Sequence, residues 1–584
     1  MTAFFRNNWI HIATGAFFVL IAITLFGIAM SRGLNRDENQ FIAAGALFAR
    51  QGLLPYRDYP YFHVPNLLFI YAALFRCSNY LLLTSRLFSA LCALASLVII
   101  YSFAARRLAH LSRGARFGIA AAVTICAFAN PLFRYTYWRA WNHSFPVLLT
   151  MLAFLCYLES RARTRPAGWL FATGLLTSLA VGTRLTFAPV AFAFLLVILC
   201  ADLRRPAWRK AGWFCAGFAL AILPTLVLFS LAPDQFIFGN LTYNSELYPG
   251  FCAGNGLGKE MTLGFKLRYC ATRILANPGN AALVVGVAYF FIRSRGCQIC
   301  KGSWSLLLLI CALFFGGLAA AIPLPQYFYA PVPLIVLGLA VAISRTRPIG
   351  RRDYLLLSLI TIVCFASTII DFRYSVRLFQ QNRWSTLKVH STGCRLAAAI
   401  GGGKIFALAP VFPLEGGLQI YPELTAEPFA FRNGPALPAA ERLRQKMLGP
   451  DELPALLVEQ PPKGILVGTE PLVEGPVIGF AKTRDYRPEP IGLGLTVFLP
   501  DARSADVAKA PATASDETSK ILLQRNQLKR SARPSASKPT NECRACPDMN
   551  SEFFLFDSPN QFRRLSRSRS WLACHLPRIR KVLR

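Results

Sequence analysis

Acidic residues are scarce in this chain of 584 residues, where 29 Asp and Glu stand against 63 Lys and Arg and give a net charge of +34. Charged residues of both signs make up only 16%, and the mean hydropathy is +0.41. So apolar a composition excludes an ordinary soluble domain and places the chain among polytopic membrane proteins. Basic loops and a basic tail account for the positive charge, so we expect no nucleic-acid partner.

The sequence also lacks a disulfide framework and an internal repeat. Most of its 16 cysteines lie in apolar stretches, where a thiol behaves as a small apolar group. Cys297-x-x-Cys300 and Cys543-x-x-Cys546 each stand without a second pair nearby, so neither spacing predicts a zinc site. The N-terminal apolar run is longer than that of a signal peptide and no cleavage pattern follows it, which favours a membrane span.

Eleven apolar stretches are long enough to cross a bilayer as helices, which takes roughly 20 residues each. They lie at 9–30, 84–105, 117–134, 143–158, 167–183, 185–200, 212–231, 279–293, 303–321, 327–344 and 354–371. Every second connection is basic, with residues such as Arg106, Arg163, Arg204, Arg293 and Arg351. Because cytoplasmic loops carry this excess of basic residues, the N-terminus is predicted to be cytoplasmic. The loops that hold Asp37, Asp234 and Gln326, and everything after Asp371, are then outside.

Residues 1–371 form the predicted membrane domain. Its first outer loop, at 31–82, contains a predicted helix at 39–50 and a second, apolar one at 65–75. The second helix is too short to cross, so we expect it to lie at the outer interface.

Beyond this domain the hydropathy falls. A helical stretch at 384–400 and three short strand patterns predict a small α/β domain over 372–500 on the outer face. Residues 501–584 are rich in Ser, Arg, Lys, Ala and Pro without periodicity, which predicts a disordered basic tail. The predicted fold class is an α-helical polytopic membrane protein of about eleven spans with an outer α/β domain.

Asp37 and Glu38 form an acidic pair directly beyond the first predicted span. Taken alone, the pair is explained most simply as solvated loop carboxylates, because most surface carboxylates take no part in chemistry. The segment Gly52-Leu-Leu-Pro-Tyr-Arg-Asp58, which follows in the same loop, favours a functional role.

An acidic pair after the first span, followed by a helix and a Gly-x-x-Pro-Tyr-x-Asp segment, resembles the pattern of the GT-C class of membrane glycosyltransferases. This class includes protein O-mannosyltransferases and lipid A aminoarabinose transferases. The matching residues are Asp37, Glu38, Gly52, Pro55, Tyr56 and Asp58. The resemblance extends over 1–371 by topology and implies a GT-C-like fold. It further implies that a sugar is moved from a polyprenyl-phosphate donor to a glycan, lipid or protein acceptor, on the periplasmic side of a bacterial inner membrane.

The resemblance also implies roles for individual residues. Asp37 would take the proton from the acceptor as it attacks the anomeric carbon with inversion, and Glu38 would orient Asp37 or bind the acceptor. Arg184 would offset the charge that develops on the departing phosphate; the alternative is an arginine that snorkels to the membrane surface. Further candidates for donor or substrate binding are Arg57, Asp58, Arg139, His143, Gln326 and Tyr327.

Metal dependence stays open at this point. Several GT-C enzymes carry a second carboxylate in the next outer loop, where it can help to hold a divalent ion. The corresponding stretch here, 135–144, has no acid. His143 could replace such a ligand, but a lone histidine is more often a structural residue.

Two other classes compete with a transferase. A transporter or flippase of a lipid-linked sugar is also polytopic, but repeated halves and ionisable groups near the midplane are typical of that class. The candidate polar groups lie at outer span ends instead. A non-catalytic assembly protein would explain the outer domain but not the grouping of Asp37, Asp58 and Arg184.

Overall fold

The computed structural model describes residues 2–200, 207–294 and 301–500, and side chains from Trp9 onward except those of 301–303. The basic tail predicted at 501–584 and both Cys-x-x-Cys pairs lie outside these ranges. Seventeen α-helices precede residue 367 in the described part of the chain. They are α1 (Thr2–Ser31), α2 (Arg36–Gln51), α3 (Asn66–Cys77), α4 (Leu81–Arg107), α5 (Arg113–Phe128), α6 (Pro131–Thr136), α7 (Ser144–Ala162), α8 (Ala167–Val181), α9 (Ala188–Leu199), α10 (Trp208–Leu231), α11 (Pro233–Ile237), α12 (Tyr248–Gly254), α13 (Leu263–Tyr269), α14 (Pro278–Arg293), α15 (Lys301–Leu318), α16 (Pro331–Arg345) and α17 (Arg351–Ala366).

Shorter helical segments connect these elements. Two are π-helical, Phe238–Leu247 and Cys270–Leu275. The 3-10 segments up to residue 383 are Leu185–Phe187, Gly258–Met261, Pro325–Phe328, Ile369–Phe379 and Gln381–Arg383.

Five helical stretches in the described part of the chain are long and apolar enough to cross a membrane, namely Trp9–Ser31, Leu81–Arg107, Ser144–Ala162, Trp208–Leu231 and Pro325–Arg345. The number rises to seven if two bent pairs each count as one span, Leu263–Leu275 with Pro278–Arg293 and Arg351–Ala366 with Ile369–Phe379. All eleven apolar stretches of the sequence fall on helices. Several of these helices are shorter than the roughly 20 residues of a full crossing, so the count of eleven stays a prediction.

Helices α8 and α10 pack at close range because glycines face each other across their contact. A Cβ atom at Gly174 would lie 1.9 Å from the carbonyl oxygen of Phe214, and one at Gly217 would lie 2.0 Å from that of Phe171. Small residues allow this kind of approach between membrane helices. Gly174 and Gly217 therefore have a packing role.

The predicted α/β domain contains a five-stranded sheet in the order β2-β1-β3-β5-β4. Its strands are β1 (Lys404–Ala407), β2 (Gln419–Ile420), β3 (Gly464–Val467), β4 (Tyr486–Gly492) and β5 (Leu495–Pro500). β1 is parallel to β2 and β3, while β5 is antiparallel to β3 and β4. The helices are α18 (Ser385–Ile400), α19 (Val411–Glu415), α20 (Phe429–Asn433), α21 (Ala439–Arg444), α22 (Leu453–Glu459) and α23 (Gly475–Thr483), with 3-10 turns at Pro422–Leu424 and Gly434–Ala436.

The strands expected within 401–409, 463–468 and 492–499 and the helix expected at 384–400 are all present. β2 has only two residues, and β4 is interrupted by prolines; neither gives a clear strand pattern.

The α/β domain docks on the loop at 31–82 and shares an apolar core with it. Val411 and Leu414 of α19 belong to the same buried cluster as Phe41 and Leu47 of α2. Glu415, fully buried at the end of α19, accepts the backbone N–H of Leu82 at 2.7 Å and so caps α4. The domain and the loop at 31–82 therefore lie at the same end of the helix bundle.

Candidate active site

The acidic pair lies in the first turn of α2, because the sequence there encodes a helix start. The Asn35 side chain accepts the backbone N–H of Asp37 at 3.1 Å, and the backbone N–H of Asn35 donates to the Glu38 carboxylate at 2.8 Å. This is a reciprocal capping box. It fixes both carboxylates at the same helix end but turns them in different directions.

Glu38 is fully buried and forms a two-pronged ion pair with Arg86 of α4, with N···O distances of 2.8 and 2.6 Å. The backbone N–H of Ala140 also donates to Glu38 at 2.8 Å. Arg86 uses its remaining N–H groups on the carbonyl oxygens of Ala29, Arg32 and Gly33. The pair thereby ties the end of α1, the start of α2, α4 and the loop at 140 together.

Asp37 lies in the opposite situation. Within the described ranges its carboxylate forms no hydrogen bond or ion pair. The pKa of Asp37 is raised, chiefly by burial and to a smaller extent by the neighbouring Glu38. The guanidinium groups of Arg139, Arg432 and Arg184 act in the opposite direction. A desolvated carboxylate among three guanidinium groups has the free electron pair that a base needs.

Arg184 lies where the chain breaks between α8 and α9. Its Nη1 donates to Asn142 Oδ1 at 2.6 Å and its Nε to Thr186 Oγ1 at 3.0 Å, while the guanidinium lies 5.2 Å from the centre of the Tyr327 ring. Asn66 holds this break in place by donating to the carbonyl oxygen of Leu179 at 3.1 Å. Arg184 is thus held by neutral groups and keeps its charge available to an anion.

Arg139 and His143 lie in the segment 135–144, between α6 and α7, and form one side of the site. The Arg139 guanidinium lies 4.2, 4.7 and 4.3 Å from the ring centres of Tyr135, Trp138 and Trp141. His143 is 7% exposed, and neither of its ring nitrogens has a hydrogen-bond partner within the described residues.

Tyr327 and Gln326 lie on the same side of the site. The ring of Tyr327 stacks on that of His143 at 6.5 Å. The buried amide oxygen of Gln326 has no hydrogen-bond partner among the described atoms. The structure therefore brings Asp37, Arg139, His143, Arg184, Gln326 and Tyr327 to one end of the bundle, as the sequence pattern suggested.

The Gly-x-x-Pro-Tyr-x-Asp segment forms the first part of the loop between α2 and α3. Gly52 ends α2 with φ +67°, and the Asp58 carboxylate accepts the backbone N–H of Leu54 at 2.7 Å. Tyr56 is buried and donates to the carbonyl oxygen of His63. Arg57 pairs with Asp58 at 2.8 Å at an exposed position, and no bond in the described chain connects this pair with Asp37 or Arg184. The substrate-binding role of Arg57 and Asp58 stays a prediction.

Three further residues of the candidate site, Arg86, His63 and Arg432, were not predicted from the sequence. Arg86 could have been found, because an arginine inside a predicted span needs a partner, which here is Glu38. His63 stacks on Phe41 with the ring centres 4.8 Å apart, and burial lowers the pKa of His63 to about 3, with Arg184 acting in the same direction. Its imidazole is therefore neutral near pH 7, which no local pattern could predict.

Arg432 is the third, and it comes from α20 of the α/β domain. The Glu470 carboxylate forms ion pairs with Arg432 at 3.3 Å and with Arg36 at 2.6 Å. Arg36 precedes Asp37 in the chain. The nearby Asn433 donates to the hydroxyl of Tyr243 at 2.7 Å. Through these contacts the α/β domain delivers a cation to the site.

A metal site is not evident within 2–200, 207–294 and 301–500, where no group of three or more His, Cys, Asp or Glu side chains could hold an ion.

Comparison with solved structures identifies the architecture. The chain superimposes on ArnT from Cupriavidus metallidurans bound to undecaprenyl phosphate with a TM-score of 0.57 and 12% identity, over 83% of this chain and 98% of ArnT. The chain has the GT-C fold. The apo form of the same ArnT gives a TM-score of 0.52 at 13% identity with the same coverage.

The oligosaccharyltransferase of Archaeoglobus fulgidus gives a TM-score of 0.46 at 13% identity, over 80% of this chain and 70% of its own. No protein-family model matches the sequence, and no curated protein sequence does so either. The predicted polytopic helical fold is confirmed, and the protein is integral to a membrane.

Proposed function

We propose that this chain is an inverting glycosyltransferase that moves a sugar from a polyprenyl-phosphate donor to a glycan, lipid or protein acceptor. The observation that carries the proposal is the Asp37 carboxylate. It is desolvated, has no bond within the described residues, and lies in the field of Arg139, Arg184 and Arg432. One acidic group with a free electron pair among several cations suits a reaction that removes a proton and releases a phosphate.

In the proposed reaction, Asp37 accepts the proton of the acceptor hydroxyl or amine while the acceptor oxygen or nitrogen attacks the anomeric carbon. The bond from that carbon to the phosphate oxygen breaks, and its electron pair leaves with the polyprenyl phosphate. A general base of this kind contributes typically 10²–10⁴-fold to the rate. The guanidinium of Arg184 binds the phosphate oxygens, since its planar fork matches them in a bidentate manner.

Neighbouring groups support the same step. Neutral imidazoles at His63 and His143 can hydrogen-bond sugar or acceptor hydroxyls without competing for the phosphate. Glu38 acts through position, because its ion pair with Arg86 sets the first turn of α2. The undecaprenyl phosphate bound to ArnT supports a lipid phosphate as the donor's carrier.

For the cellular location we propose the bacterial inner membrane, with the N-terminus in the cytoplasm and the site on the periplasmic side. The alternation of basic loops supports this orientation. Reporter fusions after Arg163 and after Gly434 test it: we expect a cytoplasmic signal from the first and a periplasmic one from the second, and the reverse would contradict it.

The deciding experiment is a transfer assay with purified protein and a polyprenyl-phosphate sugar that the wild type uses. We expect Asp37→Asn to lower turnover by at least about 100-fold, because the amide keeps the shape of the side chain but cannot accept the proton. Asp234→Asn is the matched control, since Asp234 is an exposed carboxylate at the same end of the bundle. Near-normal turnover of Asp37→Asn would remove Asp37 from the mechanism.

A further inference from the structure

A segment beyond α17 lies along the surface of the helix bundle. The chain bends by 65° after α17 and continues as the 3-10 segment Ile369–Phe379. This segment rests on α1, where a Cβ atom at Gly27 would lie 2.7 Å from the carbonyl oxygen of Tyr374. Four of its apolar side chains are exposed, with fractions of 56–72% for Ile369, Ile370, Val376 and Phe379, while Phe372 packs against the core. Such a segment is suited to the plane of the membrane interface.

Arginines gather around Tyr374 in this segment. The guanidinium groups of Arg32, Arg377 and Arg373 lie 4.4, 4.6 and 5.0 Å from the centre of its ring. Arg134 lies beside them, with its guanidinium 4.7 Å from the ring of Phe372. We refer to Arg32, Arg134, Asp371, Arg373, Tyr374 and Arg377 as the Tyr374 cluster.

The charge of the Tyr374 cluster is unbalanced. Asp371 forms an ion pair with Arg32 and lies 3.9 Å from Nε of Arg134. In the described part of the chain, no second carboxylate pairs with any of the four arginines. Arg134 is 3% exposed, and none of its three side-chain nitrogens has a hydrogen-bond partner among the described atoms. Four guanidinium groups thus lie close together, and only Arg32 and Arg134 are within ion-pair distance of the single carboxylate, which leaves room for another anion.

The position of the Tyr374 cluster indicates which kind of anion it can bind. Leu355, Leu359 and Ile362 form an exposed apolar face on α17. The end of this helix contacts the segment Ile369–Phe379, where the rings of Phe365 and Phe372 lie 4.5 Å apart. A bound anion there would lie against side chains suited to hydrocarbon.

In the described part of the chain, no hydrogen bond or ion pair connects the side chains of the Tyr374 cluster with Asp37 or Arg184. The two regions approach each other at Trp138, whose ring centre lies 5.9 Å from the guanidinium of Arg32 and 4.7 Å from that of Arg139.

We propose that the Tyr374 cluster binds the headgroup phosphate of an anionic phospholipid of the surrounding bilayer. The guanidinium groups of Arg373 and Arg377 contact the phosphate from the surface. The acyl chains lie along the outward faces of α17 and Ile369–Phe379. The proposal does not depend on the transferase activity, because it concerns a separate surface.

Native mass spectrometry of the purified full-length protein, titrated with phosphatidylglycerol or phosphatidylcholine, tests the proposal. We expect the wild type to retain phosphatidylglycerol more tightly than phosphatidylcholine. Arg373→Gln/Arg377→Gln should weaken phosphatidylglycerol retention by about tenfold or more, since each arginine near anionic headgroups contributes roughly 1 kcal/mol. Arg373→Gln alone, at an exposed position, should give a smaller loss in the same direction.

The matched control is Lys482→Gln/Arg484→Gln, which removes two exposed cations from the end of α23 and should leave lipid retention unchanged. Equal phosphatidylglycerol retention by the wild type and by both Arg373 variants would overturn the proposal. An equal loss of both lipids would also overturn it, because the surface would then be merely apolar. Displacement of phosphatidylglycerol by inorganic phosphate at equal concentration would assign the site to soluble anions instead.

Discussion

Asp37 and Glu38 are adjacent in the chain, yet their carboxylates lie in opposite surroundings. Glu38 receives hydrogen bonds from Arg86 and from the backbone at Asn35 and Ala140. Asp37 receives none within the described residues and lies instead in the field of several guanidinium groups. The Glu38 carboxylate thus has a full set of hydrogen-bond partners, whereas the oxygens of Asp37 are free to accept a proton.

The two sides of the helix start differ in what they can contribute. A satisfied buried ion pair fixes geometry, but its groups are not free to react. A desolvated carboxylate without partners costs stability, and such cost is characteristic of functional sites. We therefore propose a structural role for the Glu38–Arg86 pair and a catalytic role for Asp37.

The largest expected effect is on stability. Arg86→Met should destabilise the protein by about 3–5 kcal/mol, because it leaves the charge of Glu38 buried without a counter-charge. The double variant Arg86→Met/Glu38→Gln should recover part of this loss. Chemical unfolding of the purified variants measures both, with Arg57→Met as the control for an exposed pair. Independent, additive effects of the two substitutions would show that the pair is not coupled.

A smaller effect separates donor binding from acceptor binding. Arg184→Ala should raise the KM for the polyprenyl-phosphate donor by about tenfold or more, since hydrogen bonds to charged groups contribute roughly 1.5–3 kcal/mol, and leave that for the acceptor nearly unchanged. Arg184→Lys should recover only part, because an ammonium group lacks the planar fork. Steady-state kinetics with each substrate varied in turn provides the measurement. If Arg184 only snorkels, expression would fall while donor kinetics stayed normal.

The smallest effect concerns pH. Asp37 must be ionised to act as a base, and burial raises its pKa. Activity should therefore begin to fall, as the pH decreases, at pH values above the ordinary pKa of about 3.9 for aspartate.

The raised pKa of Asp37 also makes the stability of the folded protein depend on pH. A raised carboxyl pKa favours the folded state at low pH, and this contribution is lost as pH rises through the folded-state pKa. Asp37→Asn should therefore raise the unfolding temperature more at pH 7.5 than at pH 4, which a thermal scan at both values checks. An equal effect at both values would contradict a desolvated carboxylate.

The sequence was sufficient for features that depend on local pattern. Apolar windows located the helices, and turn residues bounded three of the strands. The acidic pair and Gly52-x-x-Pro-Tyr-x-Asp58 located the loop that carries the site, because capping and turn formation depend on neighbouring residues.

The remaining features depend on contacts between distant parts of the chain. No spacing relates Arg432 to Asp37, since the contacts that bring the α/β domain to the site, such as the Arg36–Glu470 ion pair and the shared apolar core, join distant parts of the chain. The different roles of Asp37 and Glu38 could not be predicted either, because both are acids in the same helical turn. Only the position of Arg86 decides which of them is paired.

The most direct test of the account compares Asp37→Asn with Glu38→Gln in one preparation, with turnover per folded molecule and the unfolding temperature measured for each. We expect Asp37→Asn to fold at least as stably as the wild type but to lack transfer activity. Glu38→Gln should unfold at a lower temperature and retain most of its turnover per folded molecule. An active Asp37→Asn protein, or a stable Glu38→Gln protein without activity, would contradict the assignment of chemistry to Asp37 and structure to Glu38.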